Sequence, residues 1–250
     1  KFIKKYKKID KITIINGEYN LIDIYKNSQL FLGSSGTSVY ETCHANIPTI
    51  LFKYVNNQDD SISDLEKIGH FFHLEKKEIN NFNQIAKLVF LIFKNYSNIK
   101  KITNNKKLKI DTLGPKRIYD VILNNEKIIT YNERDVESKN SKFKFSIAKD
   151  TDMNKILDLR NEKNNIINSN NPQKISRLSH YIWWLESRPK IWVLKKENLL
   201  KIVFWHKIIN IHKKKYILTG WYSNKNLNFI NVLNGIVKFN KTLKKNYKIL

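Results

Sequence analysis

A chain of 250 residues, of which 41% are hydrophobic and 12% aromatic, can bury one or two cores and is therefore globular. The formal net charge of +24 would suit a polyanion, but it is carried almost entirely by lysine in a chain that is also rich in asparagine and isoleucine. Because no RNP-like, zinc-finger or basic-zipper motif accompanies that charge, we predict no nucleic-acid partner.

Up to residue 124 the sequence alternates short strand and helix patterns. The patterns predict strands at KITII, LFLGS, PTILFK and FFHL, and helices at NLIDIYKNS, TSVYETCHAN, DSISDLEKIG and residues 81–96. Alternation in units this short predicts an α/β fold, with a parallel sheet covered by helices on both faces.

A polar stretch over residues 125–142 predicts a linker between a first domain, residues 1–124, and a second domain, residues 143–250. The second domain begins with helix patterns at DMNKILDLRNEK and SHYIWWLES. Three β-rich runs follow from residue 190 to 223 and predict an antiparallel meander, and an amphipathic helix over residues 227–243 ends the domain. The second domain is thus predicted to be α+β, with a mainly antiparallel sheet.

One loop in the first domain, FLGSSGTSVYE, runs from a strand through two glycines and several hydroxyls into a helix. A helix start at the carboxyl edge of a parallel sheet can hold a phosphate, and Glu41 could accept hydrogen bonds from the hydroxyls of a ribose. The residues that would bind such a ligand are Gly33, Ser34, Ser35, Gly36, Thr37, Ser38 and Glu41. The alternative is that these hydroxyls cap the helix while Glu41 complements its dipole.

The loop after the next strand adds Asn57 and Gln58 at the same sheet edge, where their amides suit the hydroxyls of a sugar. Together, these motifs resemble the carboxyl-terminal domain of the UDP-2,4-diacetamido-2,4,6-trideoxy-beta-L-altropyranose hydrolase family of pseudaminic acid and spore-coat polysaccharide biosynthesis, which has a GT-B-type, Rossmann-like fold. The resemblance implies that the glycine-serine loop holds the UDP diphosphate, Glu41 the ribose, and Asn57 with Gln58 the sugar or the adjacent phosphate.

The same resemblance implies an amino-terminal domain that carries the catalytic histidine. His44, His70 and His73 lie in other elements, so this chain is expected to lack that domain and the first strand of its own domain. Hydrolysis by this chain alone is therefore not expected.

In the second domain, the motifs Leu159-Arg160-Asn161, HYIWW and ILTGWYS resemble the GCN5-related N-acetyltransferases (GNAT). The resemblance implies acetyl-CoA as cofactor, an amino-sugar acceptor near Arg160 and His180, and Tyr222 near the acyl group. It places the CoA pyrophosphate at Ser223, Asn224, Lys225 and Asn226, where the usual glycine-rich loop is missing, and it implies truncation at the carboxyl terminus. The alternative roles are pairing of Arg160 with Glu162 or Asp158, and packing for the tryptophans.

Cysteine content and hydropathy add three expectations. The single cysteine, Cys43, excludes an internal disulfide, and no spacing of ligands indicates a metal site. No apolar run could cross a bilayer and no signal peptide is recognisable, which predicts a cytoplasmic protein without a membrane partner.

The combined hypothesis is a protein that binds and processes a UDP-sugar in nonulosonic acid or surface polysaccharide biosynthesis, as part of a bifunctional hydrolase and N-acetyltransferase. One alternative is a non-catalytic module that binds a UDP-sugar or a partner enzyme. A basic nucleic-acid-binding protein is the third hypothesis.

Overall fold

Two β-sheets of different kind organise the fold. The computed structural model describes residues 11–15, 21–53, 62–111, 113–124, 143–212 and 214–247. Within these residues the chain forms a parallel sheet of three strands and a separate antiparallel sheet of four. The predicted α/β class is confirmed, as is the order of a parallel sheet followed by an antiparallel one.

Strands and helices alternate in the parallel half. In chain order, its elements are α1 (Leu21–Lys26), β1 (Phe31–Ser34), α2 (Ser38–His44), β2 (Thr49–Phe52), α3 (Ile62–Lys67), β3 (Phe72–Leu74), α4 (Phe82–Lys94), α5 (Tyr96–Asn104) and α6 (Gly114–Asn124). The strand predicted at KITII is wrong, because residues 11–15 are not a strand and pair with none of the described strands. Ile12 and Ile15 are exposed and Ile14 is only partly buried, so the described residues cover little of the apolar side of that pattern.

The helix predicted over residues 81–96 is interrupted at Asn95. That residue has φ −109° and ψ 20°, which ends α4 and starts α5, and its side-chain amide donates to the Leu91 carbonyl oxygen at 2.8 Å. A side chain that bonds the backbone in this way competes with the helix ladder, which explains the break.

The antiparallel half contains four strands and four helices in its described residues. They are β4 (Lys144–Ile147), α7 (Met153–Arg160), α8 (Lys163–Ile167), α9 (Arg177–Ser187), β5 (Trp192–Lys196), β6 (Leu199–Ile211), β7 (Lys214–Ser223) and α10 (Phe229–Tyr247). The predicted meander is confirmed as β5–β6–β7. Strand β4, which the sequence did not predict, pairs with β5. The predicted linker, residues 125–142, lies outside the described residues.

The parallel sheet is covered by helices on both faces, as predicted. On β2, Leu51 packs with Val39 and Cys43 of α2 and with apolar residues of α3. The preceding residue, Ile50, belongs to a larger cluster that includes Leu88 of α4. Neighbouring residues of a strand face opposite sides of the sheet, so β2 is buried on both faces.

The larger cluster also joins the two halves of the chain. It includes Tyr181 and Trp184 of α9 together with the residues of β2 and α4. Asn154, which is buried, donates to the Phe71 carbonyl oxygen and to Glu66 Oε1, both at 2.8 Å, and accepts from the Tyr181 hydroxyl at 2.6 Å. The parallel and antiparallel halves therefore share one core.

Among the described residues, no helix is both long enough and apolar enough to pass through a bilayer.

Candidate functional site

The glycine-serine loop of the parallel half is divided between two cavities. Ser35 is buried, its N–H donates to the Phe52 carbonyl oxygen at 3.1 Å, and it lines a cavity of about 270 Å³ at the carboxyl ends of the strands. Thr37 and Glu41 line a different cavity of about 830 Å³, together with Tyr25. The structure therefore does not bring the predicted phosphate and ribose contacts into one site.

The other residues of that loop have local roles. Gly33 is a strand residue opposite Leu51, and the ring of Phe31 occupies the space that a side chain at Gly33 would need. Ser34 ends β1, and Gly36 accepts at its carbonyl oxygen from the N–H of Val39. Thr37 is the N-cap of α2 but makes no side-chain capping bond, Ser38 is the first helical residue, and Glu41 is exposed. Asn57 and Gln58 lie outside the described residues.

The histidines of the parallel half have structural partners. The Nε2–H of His70 donates to the Val39 carbonyl oxygen at 2.8 Å, which leaves Nδ1 to accept from Thr49 Oγ1 at 2.9 Å. His73 Nε2 donates to the His70 carbonyl oxygen at 3.1 Å, and burial lowers the pKa of His73 to about 3. His44 is exposed, and its Nδ1 donates to the Ile110 carbonyl oxygen at 3.2 Å.

In the antiparallel half, the three residues predicted to be catalytic line one cavity of about 550 Å³. Arg160 comes from the end of α7, His180 from α9 and Tyr222 from β7, so three elements distant in sequence converge. Trp183 and Trp205 form aromatic walls of the same cavity. Trp205 is opposite a glycine, Gly220, in the β6–β7 pair, and its indole ring lies across the space that a side chain there would fill.

Arg160 has an incomplete set of hydrogen bonds. Its Nη2 donates to Ser169 Oγ and to the Asn171 carbonyl oxygen, both at 2.8 Å, whereas Nη1 is buried and has no hydrogen-bond partner in the described part of the chain. The predicted alternative, an ion pair with Asp158, is not formed, because Asp158 accepts from Arg177 at 2.7 Å. A buried guanidinium N–H without an acceptor is energetically unfavourable, so a ligand acceptor is the natural partner.

His180 is neutral at physiological pH. Its Nε2 lies 2.9 Å from the Met153 carbonyl oxygen, and because a carbonyl only accepts, Nε2 carries the proton and Nδ1 is left as an acceptor. Burial lowers the pKa of His180 to about 4, with the charge of Arg177 acting in the same direction and the bond to Met153 opposing it.

Tyr222 supplies a phenolic hydroxyl to this cavity. Burial raises the pKa of Tyr222 well above its usual range, and the positive charge of Arg160 offsets part of that rise. Tyr222 therefore keeps its proton at neutral pH and can act as a hydrogen-bond donor.

His206, on β6, is a residue of the cavity wall that the sequence did not indicate, but its ring lies on the opposite face of the sheet from Trp205, 5.2 Å from the rings of Trp192 and Tyr247. Its Nε2 shares a hydrogen bond of 2.6 Å with the Tyr247 hydroxyl, whereas Nδ1 is buried and, in the described residues, makes no hydrogen bond of good geometry. Burial and the charge of Lys190 lower the pKa of His206, and a weak interaction with the Lys190 backbone opposes that shift. In sequence, only the aromatic pair Trp205-His206 within a strand could have drawn attention to it.

One unpartnered polar atom belongs to a residue of this cavity. In the described part of the chain, Arg160 Nη1 and His206 Nδ1 are the buried side-chain nitrogens or oxygens that lack a hydrogen-bond partner. Arg160 lines the 550 Å³ cavity with Trp205 and Tyr222, whereas the His206 ring lies on the opposite face of the sheet, beside Trp192 and Tyr247. The cavity around Arg160 is therefore the candidate site.

A further cavity of about 670 Å³ lies between β7, α8 and α10, and Ser223, Asn224 and Lys225 line it. Asn226 is exposed, and its N–H donates to Asn224 Oδ1 at 3.0 Å. Of the four residues predicted to bind CoA, Ser223 thus ends β7, and Asn224, Lys225 and Asn226 form a tight turn beside an open groove.

The acidic and histidine side chains of the described residues form no group of three or more that could hold a metal ion.

Comparison with known proteins gives one partial likeness. No protein-family model matches this chain, and no solved structure matches it. A NAD-dependent protein deacetylase of Plasmodium falciparum (isolate 3D7), Sir2B, is 29% identical over 140 residues, which cover 52% of this chain. The chain spans only 11% of the length of that relative.

The resemblances drawn from the sequence are wrong. The relative found is a NAD-dependent deacetylase, and nothing found is a pseudaminic acid hydrolase, a GT-B protein or a GCN5-related acetyltransferase. The UDP-sugar function and its alternatives are overturned with them, and so is acetyl-CoA, because the cofactor in the relative's name is NAD. The physical reason is that glycine-serine loops and short aromatic motifs also serve to start helices and fill cores.

Proposed function

We propose that the chain binds a planar, anionic small molecule in the cavity lined by Arg160, His180 and Tyr222. One observation carries the proposal: Arg160, which lines this cavity, has a buried Nη1 without a hydrogen-bond partner in the described residues. Buried polar groups in native proteins are almost always hydrogen-bonded, so a bound molecule that accepts from Nη1 would remove an unfavourable feature.

The lining residues define the chemistry of the ligand. Arg160 supplies a permanent positive charge, which favours a phosphate or carboxylate group. Trp183 and Trp205 supply flat apolar surfaces, which favour a planar ring. The volume of about 550 Å³ falls in the range of roughly 300 to 1,000 Å³ that is usual for small-molecule sites.

NAD is the first ligand to test. It combines phosphate groups with planar rings, and it is the cofactor in the name of the partial relative. Arg160 would hold a phosphate oxygen, the tryptophans a ring, and Tyr222 a hydroxyl or amide group of the ligand. Deacetylation is not part of the proposal, because the likeness covers so little of that relative.

The test is isothermal titration calorimetry of the full chain with NAD. We expect saturable binding at one site, and we expect Arg160→Gln to weaken it by about tenfold or more, because a charge-assisted hydrogen bond contributes about 1.5–3 kcal/mol. Arg117→Gln is the matched control, since Arg117 is exposed and pairs with Asp111 outside this cavity. The proposal is wrong if the folded wild-type chain does not bind NAD, or if Arg160→Gln binds it equally well.

A further inference from the structure

Charge is unevenly distributed along this chain. From Leu199 to Leu250 the sequence contains eleven lysines and neither an aspartate nor a glutamate. The described residues of this stretch form β6, β7 and α10, which are consecutive in the fold. One structural unit is therefore purely basic, with no acidic side chain of its own to offset the lysines.

Helix α10 carries a second apolar stripe besides the one it buries. Val232, Phe239 and Leu243 pack on the antiparallel sheet. On the outward side Phe229 is 71% exposed, Ile230 63% and Val237 51%. Phe229, Leu233 and Val237 follow one another at intervals of four residues, so they lie on one face of the helix. A surface helix that is apolar on its solvent side is a sign of a binding partner.

The apolar surface continues from the helix to strand β7. Within the described residues β7 pairs with β6 alone, and it is the outermost strand of the sheet. Trp221 of β7 is half exposed and lines the 670 Å³ groove together with Ile236 of α10 and Lys225 between the two elements. An edge strand and an amphipathic helix therefore border one groove.

We propose that this surface docks on the interface of an anionic lipid bilayer. The surface, which we call the basic apolar face, comprises Trp221, Lys225, Phe229, Ile230, Leu233, Val237, Lys238 and Lys241. Lysines attract anionic headgroups, and aromatic and aliphatic side chains enter the boundary between headgroups and acyl chains. An anionic bilayer complements both the positive charge and the apolar side chains of this face. Lysine stems can lie along the apolar boundary while their charged ends reach the headgroups.

Two other occupants match the face less well. A nucleic acid would pair with the lysines but leave the outward aliphatic side chains of α10 in water. A second copy of the chain could bury the apolar stripe, but it would bring two acid-free surfaces together in a protein with a net charge of +24, and like charges repel.

The first experiment is co-sedimentation of the full chain with lipid vesicles. We expect binding to phosphatidylcholine vesicles that contain phosphatidylserine, weak binding to pure phosphatidylcholine, and a blue shift of tryptophan emission as Trp221 leaves water. Absence of binding to the phosphatidylserine vesicles at moderate salt would overturn the proposal.

Variants locate the binding surface. The double variant Phe229→Ser with Ile230→Ser should reduce vesicle binding by about tenfold or more, because each change removes apolar area from the bound state. Both side chains are exposed, so the fold is retained, which circular dichroism checks. Ile122→Ser with Leu123→Ser, equally exposed on α6, is the matched control and should leave binding unchanged.

Two results would assign the face to something else. Equal loss in the α6 control would show that the vesicles bind elsewhere. Binding to a polyuridine RNA that is insensitive to Phe229→Ser with Ile230→Ser, without vesicle binding, would show attraction to polyanions only.

Discussion

The parallel and antiparallel halves bury polar groups in different ways. In the parallel half, His70, His73 and Glu78 are buried, and each makes hydrogen bonds within the protein. In the antiparallel half, Arg160 keeps one buried nitrogen, Nη1, without a partner in the described residues. The difference indicates that the polar groups of the first half maintain the fold, whereas Arg160 in the 550 Å³ cavity is available for a ligand.

The two halves nevertheless depend on each other, and the largest expected effect concerns their common core. Trp184 is buried in the cluster shared by both halves, and its Nε1 donates to Asp150 Oδ1 at 2.8 Å. Trp184→Ala should lower the free energy of unfolding by about 3–5 kcal/mol, because it leaves a cavity and removes the hydrogen bond to Asp150, which keeps its ion pair with Arg188. Hydrogen exchange should show faster opening both at Leu51 of β2 and at Val193 of β5. Faster exchange at Val193 alone would show that the halves are stabilised independently.

The next effect is the loss of stability in acid. The pKa of His180 is about 4 in the folded chain, whereas its ordinary value is 6.5. Between these values the unfolded chain binds a proton that the folded chain does not, so stability falls as the pH is lowered from about 6.5 to about 4, by about 3 kcal/mol in total for this residue. Urea unfolding at a series of pH values measures the slope. His180→Gln should flatten it, and an unchanged slope in that variant would contradict the assignment.

A smaller effect is expected at the helix starts, where α9 of the antiparallel half and α2 of the parallel half differ. Ser176 caps α9, and its Oγ accepts from the Ser179 N–H at 3.2 Å, whereas Thr37 makes no such bond at the start of α2. Ser176→Ala should therefore destabilise the chain by about 1 kcal/mol, and Thr37→Ala by less than about 0.5 kcal/mol. Thermal unfolding of both variants measures the two losses of stability. A larger loss in Thr37→Ala than in Ser176→Ala would contradict the prediction.

The smallest expected effect is that of Glu41→Ala. Glu41 is exposed and lines a cavity other than the one that contains Arg160, so we expect a change in stability within about 0.5 kcal/mol and no change in NAD affinity. Isothermal titration calorimetry compares the NAD affinity of the variant with that of the wild-type chain under the same conditions, and thermal unfolding compares their stability. Loss of NAD binding in this variant would transfer the ligand site to the parallel half.

Sequence patterns predicted the elements whose burial is local. Strand β2 reads as an apolar run because both of its faces are covered, and the meander is marked by short polar segments, such as the turn at residues 197–198. Strand β4 was missed because its burial depends on pairing with β5, a strand almost fifty residues away. The KITII pattern did not form a strand, since none of the described strands pairs with it and Ile12 and Ile15 are exposed.

The candidate site was predictable only in part, for the same reason. Arg160, His180 and Tyr222 were singled out through the resemblance to acetyltransferases, which is wrong, yet the structure brings all three to one cavity. The position of the His206 ring could not be predicted, because it results from the packing of β6 against α10. The glycine-serine loop had the stronger local motif, yet its residues separate into two cavities.

The most direct test is to follow the indole N–H signals of the five tryptophans by NMR while NAD is added to the full chain. Trp183 and Trp205 line the candidate site, so we predict that their signals shift and saturate together. Trp184 and Trp192, which are buried outside it, and Trp221, which lines the groove beside α10, should keep their positions. Shifts confined to Trp221, or no shift at Trp183 and Trp205 at saturating NAD, would contradict the proposed site.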